Sequence, residues 1–424
     1  MIDTERRDRA RAEVASAYLF AQDLVDEGIE VVLDRLQGAG LNGVTMAAAY
    51  HHGRDVFPHN PVHKIVYHDG GAIYFHPNAS LYRETRLRPK VARIAQRVDP
   101  LSGLMRAARS RGVEVGAWLA LLHNSRLAMG HPDCALVNAH GDRMLNSLCP
   151  ANPEARAFVR AVVRDVASHR VQSIELEALA YPPFDHGYHH ERSFIRLSPN
   201  ARYLLGLCFC RHCLAAAASA GVDGDRVRER VREVTQMVFD SVDHETSERE
   251  IDQASLREEA GGELGRYLDV RESVVTTLVR EATMAAHAEC PETRVVFLDL
   301  SGGVLGYATG RPSSDLESVG IAWRDGVDIR AVAGACDAIG VLAYFADQDR
   351  FEREVDAYCR AVASPHALEV LLRPMLPDVQ SPEALGRKIV SLRRAAITDI
   401  SFYHYGFMRL ESLDWIGAAL SSEG

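Results

Sequence analysis

Two glutamates lie two residues apart in the run Ser173-Ile174-Glu175-Leu176-Glu177-Ala178. In an extended chain side chains alternate between faces, so Glu175 and Glu177 share one face and Leu176 takes the other. Buried together, two carboxyls repel and lose hydration, and at least one keeps its proton near neutral pH unless a cation answers them. A third acid, Asp299, closes the run Val295-Val296-Phe297-Leu298-Asp299, with Gly302 and Gly303 beyond it. It is a candidate partner acid, although an Asp in that position can also just cap the next turn. Arg373, in Leu372-Arg373-Pro374, could neutralise a carboxylate cluster or hold a substrate hydroxyl.

Aromatic and imidazole side chains close or line the neighbouring apolar runs: Tyr50, His51, His52, Trp118, Tyr344 and His404. A ring of such groups suits the apolar faces and hydroxyl edges of sugars, and we take these residues as substrate contacts together with Arg373. His190, from the cluster His186-Gly187-Tyr188-His189-His190-Glu191 that follows the two glutamates, joins that set. The plainer reading of each aromatic is core packing.

The cysteines make the sharpest local motif. Cys208, Cys210 and Cys213 place three thiols within six residues, close enough to surround one ion. A closed structural zinc site takes four ligands, and Cys149 is our expected fourth, ahead of Cys134 and His212. Three reduced cysteines packing a helix start is the alternative.

What must position these groups is an alternation of β-rich runs and amphipathic helices. Eight strands are expected, at Ala15–Phe20, Gly43–Tyr50, Glu114–Leu121, Val171–Ala178, Arg294–Leu300, Ala338–Phe345, Leu368–Pro374 and Asp399–Tyr405. Their apolar, β-branched character fits parallel strands covered on both faces. Helix starts are readable at Asp99-Pro100, Asn152-Pro153-Glu154 and Ser381-Pro382-Glu383, each a cap residue followed by proline at the first helical position. Such an alternation with eight strands closes most economically into a (β/α)₈ TIM barrel, whose active site lies at the C-terminal ends of the strands. We expect one elaborated barrel domain over residues 1–424, with a long loop from His51 to Asp99 after strand two and a helical insertion at 182–290 between strands four and five. The acidic stretch Asp243 to Glu259 reads as an exposed turn or mobile segment.

Composition narrows the partners. The 424 residues carry Lys+Arg 48 against Asp+Glu 58, a net charge of −10, which offers no basic field for nucleic acid. No apolar run approaches the roughly 18 residues of a membrane helix. The charged start, Met1 to Arg11, precedes no apolar signal core, so with eight cysteines we expect reduced thiols and a cytoplasmic protein. No glycine-rich loop follows the first strand, and we expect no organic cofactor. Strand one ends Ala17-Tyr18-Leu19-Phe20 and lacks the His-x-His of a metal-dependent amidohydrolase. A homo-oligomer is compatible with the composition.

The run Val171 to Pro182 resembles the strand-four segment of α-amylase-like and uncharacterised "hypothetical glycosyl hydrolase" barrels, with Glu177 at the acid position and Tyr181-Pro182 closing the segment. Gly40 to Val44 and Leu148 to Glu154 are similar to the same superfamily's entries into strand two and the helix before strand four. The sequence departs from it by Glu177 where many members have Asp, and by Ala180 where many have Arg. The cysteine triple is similar to that of β-galactosidases that carry a structural zinc. The resemblance implies a glycoside hydrolase acting on a soluble sugar or glycoside with two carboxyl groups. In the α-amylase-like arrangement the nucleophile closes strand four and the acid closes strand five, which would make Glu177 the nucleophile and Asp299 the acid, with Glu175 tuning Glu177 by sharing its proton or by being held by Arg373. The other large glycosidase clan would need a Glu at the outlet of strand seven, where this chain has only Glu369 at the strand's start. The alternative from another class is a catalytically inactive carbohydrate-binding barrel.

Overall fold

The computed structural model describes residues 13–186, 192–241, 251–302 and 314–422. His190 and its neighbours in the cluster after the two glutamates therefore lie outside the described residues, His186 excepted. Eight parallel strands close on themselves: β1 (Val14–Leu19), β2 (Gly43–Tyr50), β3 (Glu114–Ala120), β4 (Ser173–Glu177), β5 (Arg294–Asp299), β6 (Ala338–Leu342), β7 (Leu368–Leu372) and β8 (Asp399–Phe402). Each pairs with the next, and β1 closes the ring by pairing with both β2 and β8. All eight expected strands are present, and the fold is a (β/α)₈ barrel.

The helices that wrap it are α1 (Ile29–Gly38), α2 (Pro100–Arg111), α3 (Pro153–Ser168), α4 (Glu263–Glu289), α5 (Ile329–Ala333), α6 (Gln348–Ala361), α7 (Pro382–Arg394) and α8 (Glu411–Ser421). Three begin where proline and a cap residue announced them. Asp99 accepts from Ser102 N at 2.9 Å, Asn152 from Glu154 N at 2.9 Å and Ser381 from Ala384 N at 3.3 Å. The α3 stripe of Phe158, Val159, Val162, Val163 and Val166 is buried against the barrel, each side chain worth about 1.5–3 kcal/mol of transfer from water.

Register decides which side chains enter the barrel. Glu175 lies level with Trp118 of β3 and Val296 of β5, and Glu177 with Ala120. Gly116 shares that inward face, and a Cβ there would stand 2.6 Å from Ser173 Oγ, 2.7 Å from Thr45 Oγ1 and 3.0 Å from Glu175 Oε1. Only glycine leaves room for the polar layer at this depth. That layer includes Ser173 Oγ donating to Glu175 Oε1 at 2.6 Å and Ser401 Oγ donating to Glu369 Oε1 at 2.6 Å. Glu369 Oε1 also accepts from Tyr18 Oη at 3.2 Å. Glu175 thus sits inside the barrel, one layer beneath its outlet.

The same register gives Asp299 the opposite parity. Glu175 and Val296 face inward together, so Leu298 does too, and Leu298 side-chain atoms would meet a Cβ on inward-facing Gly340 at 2.3 Å. Asp299 therefore points away from the barrel axis, and its carboxylate accepts from Tyr358 Oη on α6 and from Ser301 Oγ.

The two long connections are structured. After β2 the chain forms a hairpin, Arg54–Val56 against Ile65–Tyr67, and Ala72–Ile73 then adds antiparallel to the end of β2. Between β4 and α4 run helices Pro199–Leu205, Arg211–Ser219, Gly224–Asp240 and Gln253–Glu258. The last of these falls in the stretch expected to be a turn, and Asp252 caps it by accepting from Ser255 N at 3.1 Å. The end of the 182–290 segment is not added material. It is α4, the crossover helix of the fourth β/α unit, joined to α3 by Arg156 Nη2 to Glu281 Oε1 at 2.7 Å.

Candidate active site

A cavity of about 1720 Å³ opens at the C-terminal ends of the strands. Glu177 reaches it from the end of β4, half-buried and open only to the cavity, and Trp118 Nε1 donates to its Oε2. Burial pushes its carboxyl up to about 7, against the opposing pull of the Trp118 hydrogen bond. At neutral pH a large fraction of Glu177 is therefore protonated.

Aromatic rings wall this part of the cavity. Trp118 packs edge-on to Tyr18 at 5.6 Å, Tyr50 at 4.9 Å and Tyr403 at 5.8 Å between centroids. Tyr344 stands 5.7 Å from Tyr403, and the Arg373 guanidinium lies 4.5 Å over the Tyr344 ring. Arg373 Nε donates to buried Asp378, so the guanidinium is fixed at the β7 outlet by its own turn. The hydroxyls of Tyr50 and Tyr403 are coupled to each other and lie within electrostatic reach of Glu177 and Asp55, which together with burial raise both above the usual phenol range.

Histidines form a second wall. The His51 ring is stacked on Tyr50 at 4.2 Å and on His123 at 4.5 Å, and His123 Nδ1 lies 3.3 Å from His186 Nε2. Burial lowers His51 to about 4 and His123 to about 2, so both stay neutral and can accept or donate one hydrogen bond each without bringing charge. His52 lines the same side.

Of the expected contacts, Tyr50, His51, His52, Trp118, Tyr344 and Arg373 line the cavity with Glu177 and Asp299. His404 does not. It is fully buried, packed on Phe20 at 4.2 Å and Phe407 at 4.6 Å, and its Nδ1 accepts from Gly406 N at 3.1 Å. Its work is to shape the turn after β8. Glu175 likewise lies below the cavity floor, on Ser173. Asp299 lines the cavity, and its carboxylate accepts from Tyr358 and Ser301. We expect Asp299→Asn to lower stability by about 1–3 kcal/mol, the usual cost of disturbing a buried, doubly bonded group. The urea midpoint should fall at unchanged slope. A wild-type midpoint would show that the Tyr358 contact carries no weight.

Several cavity residues are not among the expected contacts: Asp55, Tyr18, His123, Tyr403, which ends strand eight among the outlet aromatics, and a cluster of Asp325 and Arg271 near Tyr181. Arg271 lies 4.5 Å over the Tyr181 ring, and burial with the Asp299 charge lifts Asp325 to about 7. None of them carried a periodic signal; Asp55 stands in a short run between Gly53 and Pro58.

Outside the cavity, the four expected cysteines meet. Cys149, from the turn before α3, stands 3.5 Å from Cys213, 3.6 Å from Cys210 and 3.9 Å from Cys208, sulfur to sulfur. All four are buried, and their sulfurs lie within 4.8 Å of one another. The cluster could hold a metal ion. Four thiolates about 2.3 Å from a tetrahedral ion stand about 3.8 Å apart, close to the spacing here.

No protein-family model matches the sequence, and no curated protein is found as a relative. Solved structures do resemble the fold. The α-L-fucosidase isoenzyme 2 of Paenibacillus thiaminolyticus superposes with a TM-score of 0.55 at 14% identity, over 96% of this chain and 48% of that one. The catalytic domain of β-amylase from Paenibacillus polymyxa gives 0.55 at 10%, over 94% of both chains. The GH42 β-galactosidase Gan42B from G. stearothermophilus gives 0.55 at 10%, over 93% and 51%. This chain therefore spans about half the length of the fucosidase and galactosidase chains. The likeness is one of architecture, the closed parallel (β/α)₈ barrel.

Proposed function

We propose that this barrel is a glycoside hydrolase in which Glu177 is the general acid. The observation that carries the reading is the Glu177 carboxyl at the end of β4, lifted to about 7 by burial and set against Trp118 in the aromatic-walled part of the cavity. Such a group can still be protonated when substrate arrives and can give that proton to the departing glycosidic oxygen. Trp118, Tyr50, Tyr344 and Tyr403 offer ring faces to a sugar, and Arg373 and the neutral histidines offer donors to its hydroxyls. The volume exceeds the roughly 300–1,000 Å³ of ordinary ligand sites, which favours an oligosaccharide or a glycoside with a bulky aglycone. Asp299 supports the site by tying the β5 outlet to α6.

In this reading the cysteine cluster holds a structural zinc that joins the insertion to the barrel and takes no part in the chemistry. Reduced thiols and the metal fit a cytoplasmic enzyme. Among the described residues no helix is long and apolar enough to cross a membrane.

The second reading, a sugar-binding barrel without turnover, is favoured by one observation: Asp299 faces away from Glu177. Turnover and binding should be measured together, on aryl glycosides and then on oligosaccharides. We expect kcat/KM to fall on the alkaline side with an apparent pKa of about 7, because the acid is lost as pH rises through that value. Sugar binding with no turnover at any pH would leave the binding barrel standing.

A further inference from the structure

If Glu177 is the acid, a second carboxylate is needed on the other side of the scissile bond, and neither β5 nor β7 supplies it. Asp299 points outward, and the β7 outlet carries Arg373 paired with Asp378. The loop after β2 carries one. In the hairpin Arg54–Val56, residues 54 and 56 are exposed while Asp55, level with buried Val66, turns to the inner face. Asp55 lines the same cavity as Glu177, together with Arg54, Val56 and Tyr67 of the hairpin.

Its surroundings are built. His68 Nε2 lies 2.9 Å from Asp55 Oδ2, and the His68 side chain is completely buried, packed on Phe20 at 4.3 Å and Tyr50 at 5.2 Å. The Asp55 side chain keeps 27% of its surface, so one carboxylate edge is anchored while the rest stays open. The hydroxyls of Tyr50 and Tyr403 are hydrogen-bonded to each other, and both lie within electrostatic reach of Glu177 and of Asp55.

Resting on the hydrolase reading above, we propose that Asp55 is the second catalytic carboxylate, acting as general base, with His68 as its positioning residue. In the step, Glu177 transfers its proton to the glycosidic oxygen as the bond from that oxygen to C1 breaks. Asp55 takes one proton from a water whose oxygen forms the new bond to C1. A free sugar and an alcohol leave, Glu177 is left ionised and Asp55 protonated, and exchange with solvent restores both. The catalytic pair is then split between a barrel strand and a loop.

The test uses the full-length chain as wild type, Glu177→Gln, Asp55→Asn and Asp55→Gly, each checked for folding by thermal unfolding. On an activated aryl glycoside, Asp55→Asn should lose on the order of 10²–10⁴ in kcat, the usual share of a general base. Asp55→Gly should be equally slow and should recover with sodium azide, which attacks C1 in the vacated space and yields a glycosyl azide. Should Asp55→Gly fail to fold, Asp55→Asn keeps the shape and carries the test. Turnover within tenfold of wild type in folded Asp55→Asn, or a folded Asp55→Gly that azide does not restore, overturns the assignment while Glu177→Gln still tests the acid. A wild type that hydrolyses nothing in the panel overturns both.

Discussion

Glu177→Gln should lower turnover on aryl glycosides by on the order of 10²–10⁴, while making the folded protein more stable above neutral pH. Both effects come from the same burial. An unfolded Glu ionises near 4.5, whereas in the fold this carboxyl ionises near 7. The folded state therefore binds the extra proton between those values. The contribution to stability is complete below about 4.5 and is lost as pH rises through about 7. The shift from 4.5 to about 7 corresponds to roughly 3–4 kcal/mol at most, the penalty for a buried charge that glutamine never carries. Unfolding curves for the two proteins should thus converge near pH 4 and separate above pH 7, with the variant higher. Trp118 Nε1 can donate to the amide oxygen as it does to the carboxylate, so the local packing survives the change. Undiminished turnover in Glu177→Gln would sink the acid assignment. Equal stability of the two proteins at pH 8 would mean that the carboxyl is not held in its neutral form.

The second large effect is expected at the thiols. Protein purified without added metal should contain one zinc per chain, and Cys149→Ser should lose it. Metal held by four thiolates contributes on the order of 10 kcal/mol in small zinc domains, comparable to the whole stability of an ordinary fold. Stripping it should therefore unfold at least helix Arg211–Ser219, where Cys213 lies and at whose start Cys210 sits. A chelator in mild denaturant should show this as a fall in the unfolding midpoint that zinc reverses. Absence of zinc, with four thiols that react freely once the protein is denatured, would leave packing as their only role. None of the four cysteines lines the cavity, but Tyr181 does, and its hydroxyl stands 3.4 Å from Cys213 Sγ, so losing the metal should disturb that wall as well as the helix.

The strands were legible because each is a short apolar run flanked by helix starts that carry their own chemistry, as at Asn152-Pro153 and Ser381-Pro382. Parity was legible too, since Glu175 and Glu177 do share a face. Its sign was not legible everywhere. β5 reads Val295-Val296-Phe297-Leu298, apolar on both faces, so alternation says which residues go together without saying which set enters the barrel. Asp299 falls on the outer set for that reason. The hairpin bearing Asp55 has strands of three residues, too short for any period to emerge from the sequence. His404 looked like a mouth residue because it follows a strand, but the turn after β8 folds Phe407 over it. Cys149 was named from the ligand count, and the fold explains the pairing. The turn before α3 and the start of Arg211–Ser219 are brought to one point although 59 residues separate Cys149 from Cys208.

That separation bears on how this protein can be taken apart. In the linear chain, the segment between β4 and β5 looks like a module dropped into a barrel, removable by joining the ends of the gap. The thiol cluster denies this. The stretch from Cys149 to Cys208 contains all of β4, so the strand that carries Glu177 lies inside a loop whose two ends meet at sulfur. The far end of the segment is α4, which the barrel needs as its own fourth helix. Trimming the chain to a minimal barrel would cut through that clasp at one end and a barrel wall at the other. A chain shortened there would leave Cys149 without its three sulfur neighbours and the barrel without its fourth helix.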